Sequence, residues 1–349
     1  MTATVAALPL ISDTTRDAIL ASPRTTAAHA RFMADIPAMS ALEVGGTAPV
    51  PTLPRRFTIA AWNLERCLFP EAAAAHLAPV SPAIVLLSEM DSGMARTGQR
   101  NTTADMAAAL GMAHAFGVEF YEMALGGPIE QARASDTFNS AGWHGNAILS
   151  CVPFARLHLI RLPEEGFWFD AARGGGNSHE PRIGTRIAVA AVIPSEAGPI
   201  CAVSTHLESN ADAAYRHRQM AALLDEIDAF APDLPVVIGG DLNTGNRMPD
   251  HDYRAETLFA LAEARGYDWS ASAPGVTVCS SLLNPRPPRA MRLDWVATRG
   301  LTGTPHPLIP PLDPDGTPLS DHLAIVADMV LPGQALRNAV PGAGQGAPP

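Results

Sequence analysis

Residues 235–247 read PVVIGGDLNTGNR, an apolar β-branched run followed by a glycine pair and then Asp241 and Asn243. A run of that length and composition is a buried strand. The i, i+2 spacing puts Asp241 and Asn243 on one face, and the glycines let a backbone or a ligand come close. A strand that crosses a core and finishes in polar groups delivers them to the rim of a sheet, where sites form. Outward from this stretch the pattern recurs. FTIAAWNLER (57–66) ends with Asn63 and Glu65, and AIVLLSEMD (83–91) with Glu89 and Asp91. ICAVSTHLES (200–209) carries His206 and Glu208, while Ser320, Asp321 and His322 open the apolar run 323–330. RLDWVATRG (292–300) holds Asp294 as a lone carboxylate in an apolar strand. One Asn or Asp after a strand is ordinarily a turn former, a lone strand histidine is ordinarily structural, and a single buried Asp is ordinarily a satisfied one. Recurrence at five strand ends is what turns the reading toward a site. Glu208 and Asp91, one step past the better candidates, read as surface groups or groups behind the site.

Strand-length runs fall at 57–64, 84–90, 146–151, 187–193, 200–207, 236–242, 293–298 and 323–330, with helical patterns at 103–110, 211–230 and 256–265. Some strands are separated by helices and others by hairpin-length gaps, such as SEAGP between 193 and 200. That order predicts an α/β fold with antiparallel or mixed sheets, not a regular βαβ wind. Residues 1–55 read as an N-terminal helical extension and linker: helices over 14–21, capped by Ser12 or Asp13, and over 25–36, then a Gly/Pro-rich linker or wrapping segment at 45–54. The main domain is expected over 56–332, and the Gly/Pro/Ala-rich 333–349 reads as a disordered tail. Two long polar loops, 126–142 and 163–184, are either functional or mobile inserts. The second carries Phe167-Trp168-Phe169, Arg173, His179, Arg182 and, just beyond it, Arg186.

The chain has 349 residues, 47% of them hydrophobic and 17% charged, which suits a large core and excludes wholesale disorder. No apolar run is long enough to cross a bilayer. The first residues, MTATVAALPLISDTTRD, lack a positive region and a long apolar stretch, so a cytoplasmic protein without a secretory signal is expected. Cys67, Cys151, Cys201 and Cys279 are far apart and form no CxxC pair, so they read as buried thiols, not as disulfides or a zinc site. Twenty-four basic residues face 35 acidic ones, for a formal charge of −11, and every basic residue is Arg. The absence of Lys excludes Schiff-base and P-loop chemistry. The acidic balance argues against an extended nucleic-acid surface, although a local Arg cluster can still bind one phosphate.

A set of Asn, Glu and Asp oxygens without thiolates suits a hard cation such as Mg²⁺ or Mn²⁺. Two histidines and several arginines complete the parts for phosphoryl chemistry. WNLE, LLSEMD, GNAILS, STHLE, GGDLN, LDWV and SDHLAI, in this order from about 57 to 330, resemble the endonuclease/exonuclease/phosphatase (DNase I-like) superfamily of metal-dependent phosphoesterases. The resemblance implies a four-layer α/β/β/α sandwich with two mixed β-sheets and a divalent-metal site at one end. By motif it implies metal ligation by Glu89 with Asn63, Glu65 and Asp321 nearby. Asp241 would orient or deprotonate the attacking water, and Asn243 would hold a phosphate oxygen or that water. His322 would contact the scissile phosphate, with Asp294 fixing its ring. His206 would bind the phosphate or serve the leaving group. Asn146, in GNAILS, matches a position near the phosphate.

Departures narrow the branch. GGDLN is followed by Thr244-Gly245-Asn246, and the later motif reads RLDWV, unlike inositol phosphatases. The Lys-rich DNA-gripping loops of apurinic endonucleases are missing, as is the export signal of secreted members. These readings lead to a phosphodiesterase using Mg²⁺ or Mn²⁺ on a small-molecule or lipid-like phosphoester. Trp168, Arg182 and Arg186 are expected to bind the substrate's organic part, the alternative being that the loop aromatics only pack onto the sheet. A DNA nuclease or repair enzyme and a catalytically inactive binding protein are the other readings. Oligomeric state is open.

Overall fold

The computed structural model describes residues 2–163, 166–173 and 181–333. Its strands are, in chain order, β1 (Ala3–Val5), β2 (Ala41–Gly46), β3 (Arg56–Arg66), β4 (Ile84–Ser92), β5 (Ala113–Glu122), β6 (Trp143–Ser150), β7 (Arg156–Arg161), β8 (Arg182–Gly184), β9 (Ile187–Ile193), β10 (Ile200–His206), β11 (Val236–Asp241), β12 (Asp294–Arg299), β13 (Thr302–Pro305) and β14 (Ile325–Val330). The helices are α1 (Asp13–Ala21), α2 (Thr26–Asp35), α3 (Pro70–Leu77), α4 (Thr102–Leu110), the single turn α5 (Pro128–Gln131), α6 (Ala213–Phe230) and α7 (Leu258–Ala264).

The strands form two mixed sheets. One runs β1-β2-β5-β6-β4-β3-β14-β13, with β8 also paired to β5; the other runs β12-β11-β10-β9-β7. Within them β1/β2, β3/β4 and β10/β11 are parallel and the rest antiparallel. Three apolar layers hold the stack together. Ile19, Phe32 and Leu77 from α1, α2 and α3 and Met106 from α4 pack on one face of the first sheet with Trp62, Leu87 and Phe116. Ile59, Leu86, Ile148, Val189 and Val237 fill the space between the sheets. Leu223, Leu224 and Ile227 of α6, with Leu258 of α7, cover the outer face of the second sheet. The result is the four-layer α/β/β/α sandwich. Gly239 is required in the middle layer, because a Cβ there would lie 2.7 Å from Leu86 Cδ1 and 3.0 Å from Ala61 Cβ.

Sequence pattern placed the central strands well and the polar ones poorly. The read helices 14–21 and 25–36 are α1 and α2, with Ser12 Oγ accepting from Thr15 N as the cap of α1. Helix α7 starts at Leu258, not at 256, because Glu256 is drawn away to Arg216 of α6 (Nε–Oε1 3.0 Å). Strands β1, β2, β5, β7, β8 and β13 and helix α3 carried no reading. Strand β2 lies within residues 1–55 and pairs with both β1 and β5, so this segment adds strands to the first sheet as well as helices to its face. Leu53 then crosses to the second sheet, where it bridges Ser195. The anticipated loop 126–142 contains α5, and loop 163–184 ends in β8. His179 and residues 334–349 lie outside the described residues, as does the Arg173 side chain. Cys67 and Cys201 are buried, whereas Cys151 and Cys279 are only half-buried; all four are free. No helix among the described residues is long and apolar enough to cross a membrane.

Candidate active site

The C-terminal ends of the parallel pairs β3/β4 and β10/β11 meet at one edge of the sandwich, together with the start of β12 and the lead into β14. Strand register does most of the positioning. His206 of β10 sits beside Asp241 of β11, which sits beside Asp294 of β12. Across the gap, Asn63 of β3 sits beside Ser88 of β4, and both ladders shift register there, between Asn63 and Arg66 and between Leu87 and Met90. These bulges coincide with left-handed backbone at Glu65 (φ 44°), Arg66 (φ 80°), Cys67 (φ 55°) and Glu89 (φ 59°). Non-glycine residues held in that region cost free energy and cluster at functional sites. They also interrupt the period-2 alternation, so Glu89 faces Asn63 and Arg66 while Asp91 turns to Arg96 and His144.

Asn63 links the two sheets, its Nδ2 donating to Glu89 Oε1 and to Asp241 Oδ2, both at 3.1 Å. Asp241 Oδ2 in turn faces two imidazoles, His206 Nε2 at 3.6 Å and His322 Nε2 at 3.8 Å. Each ring is backed by a carboxylate. Asp294 Oδ2 lies 2.7 Å from His322 Nδ1, and Glu119 Oε2 lies 3.4 Å from His206 Nδ1. Burial opposes a charged His322, but Asp294 and then Asp321 outweigh it and hold the ring well above the usual imidazole range. Burial raises Asp241, against the pull of His322 and with the push of Asp294. The segment 320–322 is pinned to β3: Ser320 Oγ donates to Asn63 O (2.6 Å), and Trp62 Nε1 donates to His322 O (2.7 Å).

A second cluster, Glu65, Glu89 and Asp321, adjoins this one. Burial and the Asp321 carboxylate, with a further push from Glu89, drive Glu65 up to about 8, although Ser281 Oγ donates to its Oε1 at 2.7 Å. Burial raises Asp321 too, with Glu89 adding to it. Burial also disfavours an ionised Glu89, yet Arg66, ion-paired with it, holds its carboxyl well below the usual carboxylate range. Mutual repulsion among buried oxygen donors is what a hard cation relieves, so Glu65, Glu89 and Asp321 fit such an ion. Among the described residues, the group that brings ligand-type atoms within 4.8 Å of one another is instead Asp241, Asp294 and His322. There the His322 ring already faces carboxylates through both nitrogens, which suits an imidazolium better than a cation ligand.

A match to the sequence profile described as "Endonuclease/Exonuclease/phosphatase family" extends over residues 60–322. The chain belongs to the endonuclease/exonuclease/phosphatase family. This is a family of phosphoesterases, and the fold agrees. A crystal structure of an endonuclease/exonuclease/phosphatase from Beutenbergia cavernae is similar with a TM-score of 0.57 and 19% identity, over 80% of this chain and 72% of that one. The catalytic domain of human nocturnin with a bound sulfate anion is similar with a TM-score of 0.53 and 16% identity, over 83% of this chain and 97% of that one. A functionally unknown conserved protein from Enterococcus faecalis follows, with a TM-score of 0.52, 15% identity, and coverage of 79% and 100%. A search of curated proteins found no match to the sequence.

The remaining residues singled out in this family member have mixed placements. Asn243 is buried near Asp241, but its Nδ2 donates to Leu207 O (2.9 Å) and its Oδ1 accepts from Asn246 Nδ2 (2.7 Å), so the amide is tied into the loop. Asn146 is buried and donates to Ile187 O (3.0 Å), while its Oδ1 has no partner. Arg186 is buried, ion-paired with Glu119 and 2.8 Å from His206 Nδ1. Arg182 pairs with Glu122 (3.1 Å). Both guanidinium groups lie over the Trp168 ring, whose Nε1 donates to Glu208 Oε2 at 3.0 Å. Asp91 and Glu208 are buried, not at the surface. Asp91 pairs with Arg96 (2.7 Å) and His144 (2.9 Å), and Glu208 with Arg186 (3.4 Å), so both stand behind the site. The residue missed in the sequence is Glu119. Its signal was AHAFGVEFYE (113–122), a run rich in aromatics whose carboxylates interrupted the apolar pattern.

Proposed function

We propose that the protein is a divalent-cation-dependent hydrolase that cleaves a phosphodiester of a small or amphiphilic organic molecule, with Mg²⁺ or Mn²⁺ as the cation. One observation carries the reading: Asp241 is set between two carboxylate-backed imidazoles, beside the acidic cluster of Glu65, Glu89 and Asp321. In the reaction, water attacks phosphorus in line with the leaving oxygen. Asp241 Oδ2 orients that water and accepts its proton as the new P–O bond forms. Burial and the Asp294 carboxylate raise Asp241 above the ordinary carboxylate range, which makes it the better proton acceptor. His322 and His206 donate hydrogen bonds to the phosphoryl oxygens and to the leaving oxygen as the old P–O bond breaks. Asp294 and Glu119 are positioning residues that fix the two rings. Glu65, Glu89, Asn63 and Asp321 would hold the cation, which offsets the charge that builds on the phosphoryl oxygens. Asn243 would brace the water-side loop. Asn146 and Arg186 would line the floor beside His206, and Trp168 with Arg182 the substrate-facing wall.

The acidic, Lys-free composition favours a small or lipid-like phosphoester over a polynucleotide. The test is mutational. Glu89→Gln should lower kcat by two orders of magnitude or more and abolish the stabilisation that Mn²⁺ gives in thermal melts. Near-normal turnover in a well-folded variant, with unchanged Mn²⁺ stabilisation, would contradict the assignment.

A further inference from the structure

The arginines around the site divide into two groups. Arg66 and Arg96 are ion-paired with Glu89, Glu130, Asp91 and Glu122. Arg182 and Arg186 are likewise paired, with Glu122, Glu119 and Glu208. Guanidinium groups compensated in this way position the wall of the site but add little net attraction for an incoming anion. The segment before β12, NPRPPRAMR (284–292), is different. Arg286 and Arg289 are exposed, and among the described residues neither side chain has an ion pair or a hydrogen bond. Pro287 and Pro288 between them restrict the backbone.

Both arginines line a cavity of about 360 Å³ that also includes His322 and Asp321, and therefore opens onto the catalytic cluster. Its lining has two guanidinium groups and the His322 imidazole against one carboxylate, with Asn246 and Asn284 as further polar groups. Cys279 is present as a neutral thiol, since burial pushes it up to about 11. The cavity has the size and polarity for a phosphate on a small organic group, and its two arginines carry no ion pair among the described residues, whereas His322 is held by Asp294. Guanidinium is also the side chain best shaped for a phosphate.

We infer that this cavity is a subsite for a second phosphate group, so that the substrate is a small molecule bearing both the scissile phosphodiester and a further phosphate held by Arg286 and Arg289. The inference rests on the phosphodiesterase reading and deepens it. A small molecule is specified because the unpaired cations on this rim are few and the chain carries a formal charge of −11. Exposed charges of this kind are screened, so the preference should shrink as salt rises.

Two chromogenic esters test it. Thymidine 5′-(p-nitrophenyl phosphate) and the same ester with a 3′-phosphate both release p-nitrophenol on diester cleavage, and they differ by one phosphate. With Mg²⁺ or Mn²⁺ the 3′-phosphorylated ester should have a KM about tenfold lower, equivalent to about 1.4 kcal/mol. In the double variant Arg286→Gln/Arg289→Gln that ratio should fall toward one, and Arg286→Lys/Arg289→Lys should restore part of it. Calorimetric binding of thymidine 3′,5′-bisphosphate, which needs no turnover, should weaken about tenfold in the Gln variant. An equal KM for both esters, or unchanged bisphosphate binding in the Gln variant, would overturn the inference. So would stronger competition per phosphate by oligothymidylate than by the bisphosphate. If neither ester nor bis-p-nitrophenyl phosphate is hydrolysed, the phosphodiesterase reading fails, and the calorimetry still decides the subsite.

Discussion

At the scale of single residues, the site depends on carboxylates held charged in places that oppose charge. Burial works against an ionised Glu119, but Arg186 and then His206 pull its carboxyl down to about 2. A carboxyl depressed in the folded state stabilises the fold fully above its unfolded value, near 4.5, and that stabilisation disappears as pH falls through about 2. Glu122, beside Arg182 and Arg96, is likewise lowered against the cost of burial and acts in the same direction. Glu119→Gln should therefore cost about 3 kcal/mol at pH 7 by leaving Arg186 underpaired. It should also make the loss of stability between pH 5 and 2 shallower than in the parent protein, as thermal melts across that range would record. A parallel pair of melting curves would contradict the pairing. His206 and Asp241 were legible in the sequence because each ends a strand whose pattern is unambiguous, whereas Asp294 read as a lone carboxylate inside a strand and was singled out only through the motif LDWV. Glu119 was not, because its strand β5 is buried on both faces and alternates nothing. Its His114, Glu119 and Glu122 look like breaks in a core run until the partners Arg186 and Arg182 are seen.

At the scale of elements, loops after β10 and β11 are fixed from behind by one buried side chain. Arg216 of α6 donates to Glu208 O (3.2 Å), Ala211 O (2.6 Å) and Asn246 O (2.7 Å) while pairing with Glu256, which also accepts from Gly245 N (2.8 Å). Arg216→Ala leaves Glu256 and three carbonyls without their partner, and should destabilise the protein by about 3–5 kcal/mol in urea unfolding. A change within about 0.5 kcal/mol would show that these loops do not depend on the clamp. The N-terminal segment has a comparable role on the other side. Asp170 Oδ2 accepts from Thr26 N (2.9 Å) and Thr26 Oγ1 (2.6 Å), tying the segment that carries Trp168 to the start of α2. Removing residues 2–46 would strip two strands from the edge of β5 and take Ile19, Phe32, Ile36 and Met39 out of the apolar layer on that sheet's outer face. The truncated chain should be insoluble or melt far below the parent. None of this was legible from composition, since β2 reads ALEVGG and its glycines look like a linker.

At the scale of the whole molecule, charge compensation decides what the surface attracts. The chain is strongly acidic, and Arg66 and Arg186, beside Glu89 and His206, are paired internally. Fluorescence anisotropy should therefore show no saturable binding of a 20-base-pair duplex at physiological salt, whereas tight and steeply salt-dependent binding would favour a nuclease. The order of strands and helices alone predicts an α/β fold with mixed sheets; the four-layer sandwich was readable only through the motifs from WNLE to SDHLAI and the family they resemble. The proposed reaction, a cation-dependent attack prepared by Asp241, rests on side chains carried by the same strands and can be tested directly. Initial rates on bis-p-nitrophenyl phosphate would be compared in EDTA, Mg²⁺ and Mn²⁺, for the parent protein and for Asp241→Asn. The account predicts turnover only with a divalent cation, reduced about 10²–10⁴-fold in the variant at unchanged melting temperature. Turnover that persists in EDTA, or that survives Asp241→Asn in a folded protein, would contradict it.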